Sequence, residues 1–592
     1  MDVNDYVPLA AFIGGYLLLG GDIIIRAARN IARGRVFDEN FLMSVATIGA
    51  FAIGEYPEAV GVMLFYQIGE YFQSKAVAKS RKSITALMDI RPDYANLLKD
   101  GQLIKVSPET VQTGNLIMVK PGEKIPLDGY VTEGRSMLDT AALTGESVPR
   151  SVDVSDEVLS GCVNQNGALT IEVSKTYGES TVSKIIDLVE NAASKKAPTE
   201  KFITKFARYY TPAVVTLAAL IAAAPPLITG GGWADWLHRG LIFLVISCPC
   251  ALVISIPLSF FGGIGGASRR GILVKGGNCL EALANLDIAV FDKTGTLTKG
   301  VFAVSAVFPA EGFTKDGLLE AAACAETFSN HPIALSILRE YGKPVDKSRL
   351  SKFSETAGKG VGITVNGSSI LAGNIELLKD AGVSCEESQT TGTKVYVSVN
   401  GVFAGCIVIS DEIKPDSRAA IPALKSKGVR KTVMLTGDNA QTSGTVAKEL
   451  DIDEVYAGLL PGDKVAKLEA LLTQKRPGGK LAFTGDGIND APVLAMADIG
   501  VAMGGLGSDA AIEAADVVLM TDEPSKLAEA VDIARFTKRV VWQNIIFALG
   551  VKALFLVLGA FGVASMWEAV FADVGVAVLA VLNAARIIKT GK

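Results

Sequence analysis

The chain has no surplus of positive charge: 57 Lys and Arg face 62 Asp and Glu, for a formal net charge of -5. That excludes a general nucleic-acid footprint, so no nucleic-acid partner is expected. Cysteine is sparse, with seven scattered among 592 residues and no early Cys-x-x-Cys. That scatter does not fit a secreted disulfide framework, and the sequence offers no early dithiol metal module. No Gly-x4-Gly-Lys-Ser/Thr run is present, so a P-loop does not cradle phosphates. The opening MDVNDYV has no basic residue ahead of an apolar run, which argues against a signal peptide. Charge of either sign is itself scarce, at 20% against 49% hydrophobic, with mean hydropathy +0.35. That balance is apolar for a purely soluble chain, and a mixture of membrane and aqueous parts is expected.

What is present begins with apolar runs. Pro8–Ile25 is long enough to span a bilayer. Gly20-Gly21 is expected to bend it, and Arg26, Arg29, Arg33 and Arg35 to lie as a basic shelf in the inner headgroup layer. Asn40–Gly54 and Pro57–Phe72, Tyr209–Ile228 and Leu237–Phe260, and Val541–Gly562 and Trp567–Ile588 read as three further pairs of spans. Lys75, Lys79, Arg81 and Lys82, with Lys589 and Lys592, mark the cytosolic side. Seven spans with a cytosolic C-terminus place the N-terminus outside.

The aqueous blocks differ in texture. Ile84–Lys195 is rich in short strand-like runs, with turns at Pro121-Gly122 and Asn166-Gly167. Asp287–Gly300 and Asp411–Asp522 alternate strands and helices and read as two parts of one α/β domain, with Val301–Ser410 inserted.

Chemistry concentrates in that α/β domain. In VFDKTGTLTKG an apolar strand ends at Asp292 and a Thr/Gly-rich turn follows, which places a carboxylate where sheet ligands sit. Such a carboxylate can attack phosphorus, because phosphoryl transfer needs mainly positioning and neutralised charge. LTGDN offers Thr436 to a phosphoryl oxygen, and PGDK offers the charge of Lys464. In LAFTGDGINDAP, Asp486 and Asp490 can reach one hard cation, best suited to Mg²⁺, while Asn489 donates to phosphate or braces the loop. Glu146 of LTGESVP sits on a Gly-bounded turn and can orient water.

A second centre lies in the membrane. In VISCPCALVISIP, Pro249 deprives the Val245 carbonyl of its helical donor, so the helix should bend or unwind. Cys248 and Cys250 flank the break, and thiolates favour Zn²⁺, Cd²⁺, Pb²⁺ or Cu⁺. Lys552 and Asp573 are charges within spans, and such residues are costly and usually functional. Asp573 can add an oxygen ligand, with Lys552 as its tethered counter-ion once the ion has left. Glu58, near the outer end of a span, is a candidate exit group; Glu70 is a weaker candidate at the inner end. Cys162, Cys279, Cys324 and Cys406 are isolated and read as packing residues, and His238 as interfacial.

DKTGTLT at Asp292–Thr298 resembles the phosphorylation motif of P-type ATPases, which share that domain with the haloacid dehalogenase superfamily. The remaining motifs follow in the family's order. The resemblance implies a polytopic α-helical membrane protein with cytosolic catalytic domains: a haloacid dehalogenase-like α/β phosphorylation domain, an inserted α+β nucleotide-binding domain and a β-rich actuator. Boundaries follow at 1–83 (membrane helices and shelf), 84–195 (actuator), 196–286 (membrane), 287–300 and 411–530 (phosphorylation), 301–410 (nucleotide-binding) and 531–592 (membrane). It implies Asp292 as covalent nucleophile; Asp486, Asp490 and the Thr294 carbonyl toward Mg²⁺; Thr436 and Lys464 toward phosphate; and Glu146 as the water-positioning residue. Glu326 and His331 of ETFSNHP, with Gly358 and Gly360 of AGKG, would surround the adenine of ATP. Lys552 and Asp573 match the zinc/cadmium/lead branch, whereas the Tyr-Asn and Met with paired Ser of the copper branch are absent from the last spans. The expected activity is ATP-driven export of Zn²⁺, Cd²⁺ or Pb²⁺ across the plasma membrane by a monomer whose partners are lipid and the transported ion. A Cu⁺ pump and a membrane-anchored phosphatase are the rivals. The branch usually has two helices ahead of the core six, where this sequence displays one.

Overall fold

The structure, a computed structural model, describes residues 3–33, 39–85, 92–99, 101–140, 149–184, 186, 196–248, 250–329, 331–356, 359–385, 392–487, 490–504 and 509–589. Two compact units emerge: Met1–Asn285 with Glu529–Lys592, and Leu286–Ala528.

The first unit holds the apolar helices α1 (Val3–Ala32), α2 (Glu39–Ile53), α3 (Tyr56–Thr85), α4 (Pro198–Thr229), α5 (Trp233–Ile246), α6 (Cys250–Ser268), α7 (Lys526–Ala560) and α8 (Met566–Lys589). Five stretches among the described residues are long and apolar enough to cross a membrane, with α5 and α6 counted as one. The other two expected spans fall short individually. α2 has 15 residues, about 22 Å at the helical rise against a hydrocarbon core of about 30 Å. α3 is long, but Lys75, Lys79, Arg81 and Lys82 load its C-terminal half with charge.

Both pack among the longer helices. Met43 and Ala46 of α2, Val62 and Met63 of α3, and Val245 of α5 share one buried cluster with Val570 of α8. At Gly61 an added Cβ would lie 1.9 Å from the Trp567 ring, so only glycine lets α3 and α8 approach this closely. Gly20-Gly21 does not break α1, which continues to Ala32. The hydrogen-bonded backbone absorbs the glycine pair, and Gly20 serves packing: an added Cβ would sit 3.1 Å from Met63. The arginine-bearing segment up to Ala32 is thus a continuation of α1, with Arg26 paired to Asp22 at 2.7 Å.

Residues 95–173 form antiparallel sheets. One runs Gln102–Val106, Ala95–Lys99, Leu116–Val119, Leu169–Val173, Gly129–Glu133 and Glu157–Val158; a smaller one joins Arg150–Val152, Ser136–Asp139 and Val163–Asn164. Their alternating buried positions, such as Ile117 and Val119, follow the two-residue strand period. Asp128 is fully buried and accepts from Ser160 N (2.8 Å), Thr181 N (3.0 Å) and Thr181 Oγ1 (2.8 Å), which ties strand to loop.

In the second unit the strands Val517–Leu519, Ile499–Met503, Lys480–Gly485, Leu286–Asp292, Lys431–Leu435 and Glu454–Tyr456 pair in parallel in that order. Leu286–Asp292 is buried at every position, as a central parallel strand must be. The chain leaves that sheet through the long strand Thr298–Pro309 and returns through its antiparallel partner Val402–Ile413. Between them lies a second, antiparallel sheet with Leu350–Thr356, Gly360–Val365, Ser368–Gly373 and Thr393–Val399, packed against the helices Lys315–Glu326 and Pro332–Tyr341.

Candidate functional site

The strands Leu286–Asp292, Lys431–Leu435 and Lys480–Gly485 end on one side of the parallel sheet, so their following loops converge. Asp292 closes the central strand and is 7% exposed. The turn Lys293–Leu297 then reverses the chain through Gly295 at φ +75°. A Cβ on Gly295 would lie 1.7 Å from Asp486 Oδ2, so the glycine is what admits Asp486 beside the turn. Asp292, Asp486 and Asp490 bring one carboxylate oxygen each within 4.8 Å of one another. Lys464 Nζ donates to Asp292 Oδ1 at 2.5 Å and to Asp490 Oδ1 at 2.9 Å.

Three carboxylates against one ammonium leave a negative excess. Burial, then Asp490, pushes the Asp292 carboxyl up to about 7, although Lys464 opposes this. Asp486 is raised by burial and by Asp490. Burial pulls Lys464 down, but Asp292 and Asp490 outweigh it and leave the ammonium above its ordinary value. Thr436 is buried, and its Oγ1 accepts from Asp438 N at 3.1 Å; a hydroxyl that accepts there still has a proton to donate.

Several participants escaped the sequence reading. Lys414 Nζ donates to the Gly295 carbonyl and to Asp522 Oδ1 (2.6 Å), pinning the turn. Lys293 pairs with Asp438 and, at 3.5 Å, with Asp411, while the Thr298 hydroxyl donates to Asp411. Asp416 accepts from Ser525 N at 2.7 Å. The signal for Lys293 and Lys414 lay in their places beside Asp292 and within DEIKP, but a lysine next to an acid does not announce its partner.

In the inserted domain, Glu326 ends a buried helix, and burial followed by Glu355 raises its carboxyl to about 7. His331 is exposed and its Nδ1 accepts from Ile333 N at 3.2 Å, capping the helix Pro332–Tyr341. Gly360 crosses Gly373 so closely that a Cβ would meet the Ala372 carbonyl at 2.3 Å. Glu146, Gly358 and Asn489, along with Pro249 and the Cys250 side chain, lie outside the described residues.

The membrane helix breaks between Ile246 and Cys250. The Val245 carbonyl turns to Cys248 N at 3.4 Å, a long i+3 contact in place of the helical bond that Pro249 cannot make. Lys552 of α7 fills the gap: its Nζ donates to the Ile246 carbonyl (3.0 Å), to the Cys248 carbonyl and to Asp573 Oδ1 on α8. Cys248, Lys552 and Asp573 are all buried. Cys162, Cys279, Cys324 and Cys406 are buried elsewhere.

The chain as a whole is similar to known proteins. The P-type ATPase actuator domain matches residues 89–190, and the haloacid dehalogenase-like hydrolase domain matches 286–498. A cadmium, zinc and cobalt-transporting ATPase of Bacillus subtilis is 62% identical over 98% of this chain and 82% of its own length. A zinc-transporting ATPase of Synechocystis is 56% identical over 98% and 80%. The chain is a P-type ATPase of the PIB type. A crystal structure of a zinc-transporting PIB-type ATPase in an E2.Pi state superposes with TM-score 0.63 at 37% identity, covering 99% of this ATPase and 96% of that chain. The ATPase is accordingly an integral membrane protein whose catalytic domains are cytosolic, and it uses ATP and Mg²⁺.

The aqueous centre fits Mg²⁺ on its own chemistry. Its donors are carboxylate oxygens, the preferred ligands of a hard dication. The raised carboxyls of Asp292 and Asp486 report the unneutralised charge that such an ion would relieve. The hydroxyls of Thr296 and Thr484 are also buried there without a partner among the described residues.

Proposed function

We propose that this ATPase exports divalent zinc and cadmium from the cytosol, with cobalt as a further substrate, across the plasma membrane. The observation that carries the reading is the Lys552–Asp573 pair seated on the unwound carbonyls beside Cys248, a broken membrane helix with soft and oxygen donors together. The names of its relatives support the same metals. None of those relatives is named for lead or copper; lead stays within the proposal on thiolate chemistry alone. The domain limits of the sequence analysis, 84–195, 287–300 with 411–530, and 301–410, and operation as a monomer belong to the proposal too.

In the aqueous centre an Asp292 carboxylate oxygen attacks the γ-phosphorus of ATP, the bond to the ADP oxygen breaks, and ADP leaves with that electron pair. Lys464 already touches Asp292 and is placed to balance charge as it moves onto the transferring group, and Thr436 donates its remaining proton to a phosphoryl oxygen. Asp292, Asp486, Asp490 and the Thr294 carbonyl would hold Mg²⁺, which would supply charge neutralisation for this transfer. Glu146 then orients water onto the phosphorus of the acyl phosphate, and inorganic phosphate departs from a regenerated Asp292 carboxylate. Glu326, His331, Gly358 and Gly360 receive the base, and Asn489 braces the Mg²⁺ loop. In the membrane, Cys248, Cys250 and Asp573 bind the ion, and Lys552 swings back to Asp573 when the ion has gone. Glu58 lies on the exit side.

The test is uptake of Zn²⁺, Cd²⁺, Co²⁺, Pb²⁺ and Cu⁺ into vesicles with ATP, beside a Cys248→Ala variant. Zn²⁺ and Cd²⁺ uptake that needs Cys248 is expected. Uptake of Cu⁺ alone would overturn the substrate assignment.

A further inference from the structure

Asn544 of α7 is 2% exposed and takes no part in the chemistry of Asp292 or in the Lys552–Asp573 pair. Both ends of its amide are engaged, and both by α8. Nδ2 donates to the Ala580 carbonyl at 3.0 Å, and Oδ1 accepts from Asn583 Nδ2 at 2.9 Å. Asn583 is held in turn: it donates to Gln543 Oε1 at 3.3 Å and accepts from Arg586 Nη1 at 2.9 Å. Residues 561–565 connect α7 to α8, and the two helices run antiparallel. They are joined at two polar levels, one at Asn544 and one at Lys552–Asp573. The spacings agree. Lys552 lies about 12 Å along α7 from Asn544, and Asp573 lies about 10 Å along α8 from Ala580.

α7 is also tied near its start to the residues ahead of the phosphorylation strand. Arg535 Nε donates to the Ala284 carbonyl at 3.3 Å, and Lys538 Nζ donates to Asn285 Oδ1 at 2.6 Å. The next residue, Leu286, opens the strand that ends at Asp292. One continuous helix is therefore fastened beside the origin of that strand and, further along, to the helix that carries Asp573.

The two polar levels differ in reach. Lys552 has a long, flexible stem, so its ammonium can follow Asp573 if the helices slip along each other. Apolar contacts carry no direction and resist such slip weakly. Asn544 is short, and one of its partners is a carbonyl of the α8 backbone itself. A slip of half a turn, about 2.7 Å, would take that bond out of range.

We propose that Asn544 is a positioning residue for ion transfer. Its amide locks α7 and α8 in one axial register, so that a displacement of α7 reaches Asp573 as a displacement of α8 instead of being lost as slip between them. This rests on the reading of Asp292 as the phosphorylated residue and of Asp573 as an ion ligand.

An interhelical hydrogen bond that only adds stability is the competing account. A stability role lowers phosphorylation and transport together; a register role lowers transport per phosphorylation. The measurement is Zn²⁺ uptake per ATP hydrolysed by the purified full chain in sealed vesicles, beside radiolabelling of Asp292 from ATP. Asn544→Leu removes both bonds to α8 and leaves Asn583 its bonds to Gln543 and Arg586. It is expected to keep Zn²⁺-stimulated labelling and to lose about fivefold or more in Zn²⁺ moved per ATP. Asn583→Leu keeps the bond to Ala580 and is expected to lose less. An unchanged ratio in Asn544→Leu, or labelling and uptake that fall in step, overturns the lock. If Asn544→Leu does not fold, Asn583→Leu decides by the same ratio. Labelling that fails in the unaltered chain removes the exporter reading; labelling that holds there, with a ratio the variants do not move, removes only the lock.

Discussion

Two buried lysine–aspartate centres in this molecule look alike in pairwise terms and differ in their charge balance. Lys464 stands between Asp292 and Asp490, with Asp486 beside them, so one ammonium faces three carboxylates. Lys552 faces Asp573 alone and spends its other donors on the carbonyls of Ile246 and Cys248. Burial, and then the excess of carboxylates, holds the acids Asp292 and Asp486 of the first centre above their ordinary range, a state that a dication would relieve. The second pairs one ammonium with one carboxylate, a balance that suits a charge pair buried among apolar helices. The contrast teaches that a lysine's role is read from how many acids surround it, not from the ion pair itself.

The comparison breaks most severely at Asp292. Asp292→Asn removes the nucleophile, and acid-stable radiolabel from ATP is expected to vanish altogether; persistent labelling would relocate the chemistry. Lys552→Met should come next, because it strands Asp573 without its partner and costs about 3–5 kcal/mol of stability. Pairing it with Asp573→Leu should recover that loss while transport stays absent, checked by thermal unfolding in detergent and by vesicle uptake. Lys464→Ala should slow phosphorylation about 10²–10³-fold, the usual loss for one charge-stabilising group at a reacting centre. If the two lysines were equivalent, Lys464→Ala would also destabilise the fold as strongly as Lys552→Met; the already frustrated carboxyl cluster predicts less, since its acids can take up protons.

Protons sharpen the contrast further. Asp292 goes from an unfolded value of 3.8 to about 7 when folded. The folded centre therefore keeps a proton that the unfolded chain releases, and metal-free stability should fall as pH rises from about 4 to about 7. Mg²⁺ competes with that proton, so apparent Mg²⁺ affinity should drop by up to about tenfold per pH unit below about 7, as calorimetry would register. The smallest effect is expected at Glu326, whose carboxyl is raised to about 7 by burial and Glu355. Glu326→Gln mimics the neutral form, so nucleotide affinity should match the parent chain at pH 6 and diverge only above pH 7, measured by nucleotide titration.

Local patterns made much of this legible. Composition and apolar runs pointed to a membrane chain, and DKTGTLT, TGDN and GDGIND carried the family and the phosphorylating fold, because each places a small residue or an acid at a strand end where only a few chemistries use it. Pro249 announced the break in the membrane helix, since a missing amide hydrogen acts on its own neighbours. Gly20-Gly21 is the opposite case: glycine permits a bend or an end without requiring one, and α1 runs on as helix through the pair to Ala32.

Sequence alone determined what is local: the class of protein, the acid that ends its central strand, and the point where a membrane helix must unwind. Tertiary structure decided the partnerships. Lys464 is 172 residues from Asp292, Lys414 is 119 from Gly295, Lys552 is 304 from Cys248, and Glu58 is 180 from His238. Charge balance, and with it the division between a centre that waits for a dication and one that supplies its own, depends on distances through space that the spacing along a chain does not encode.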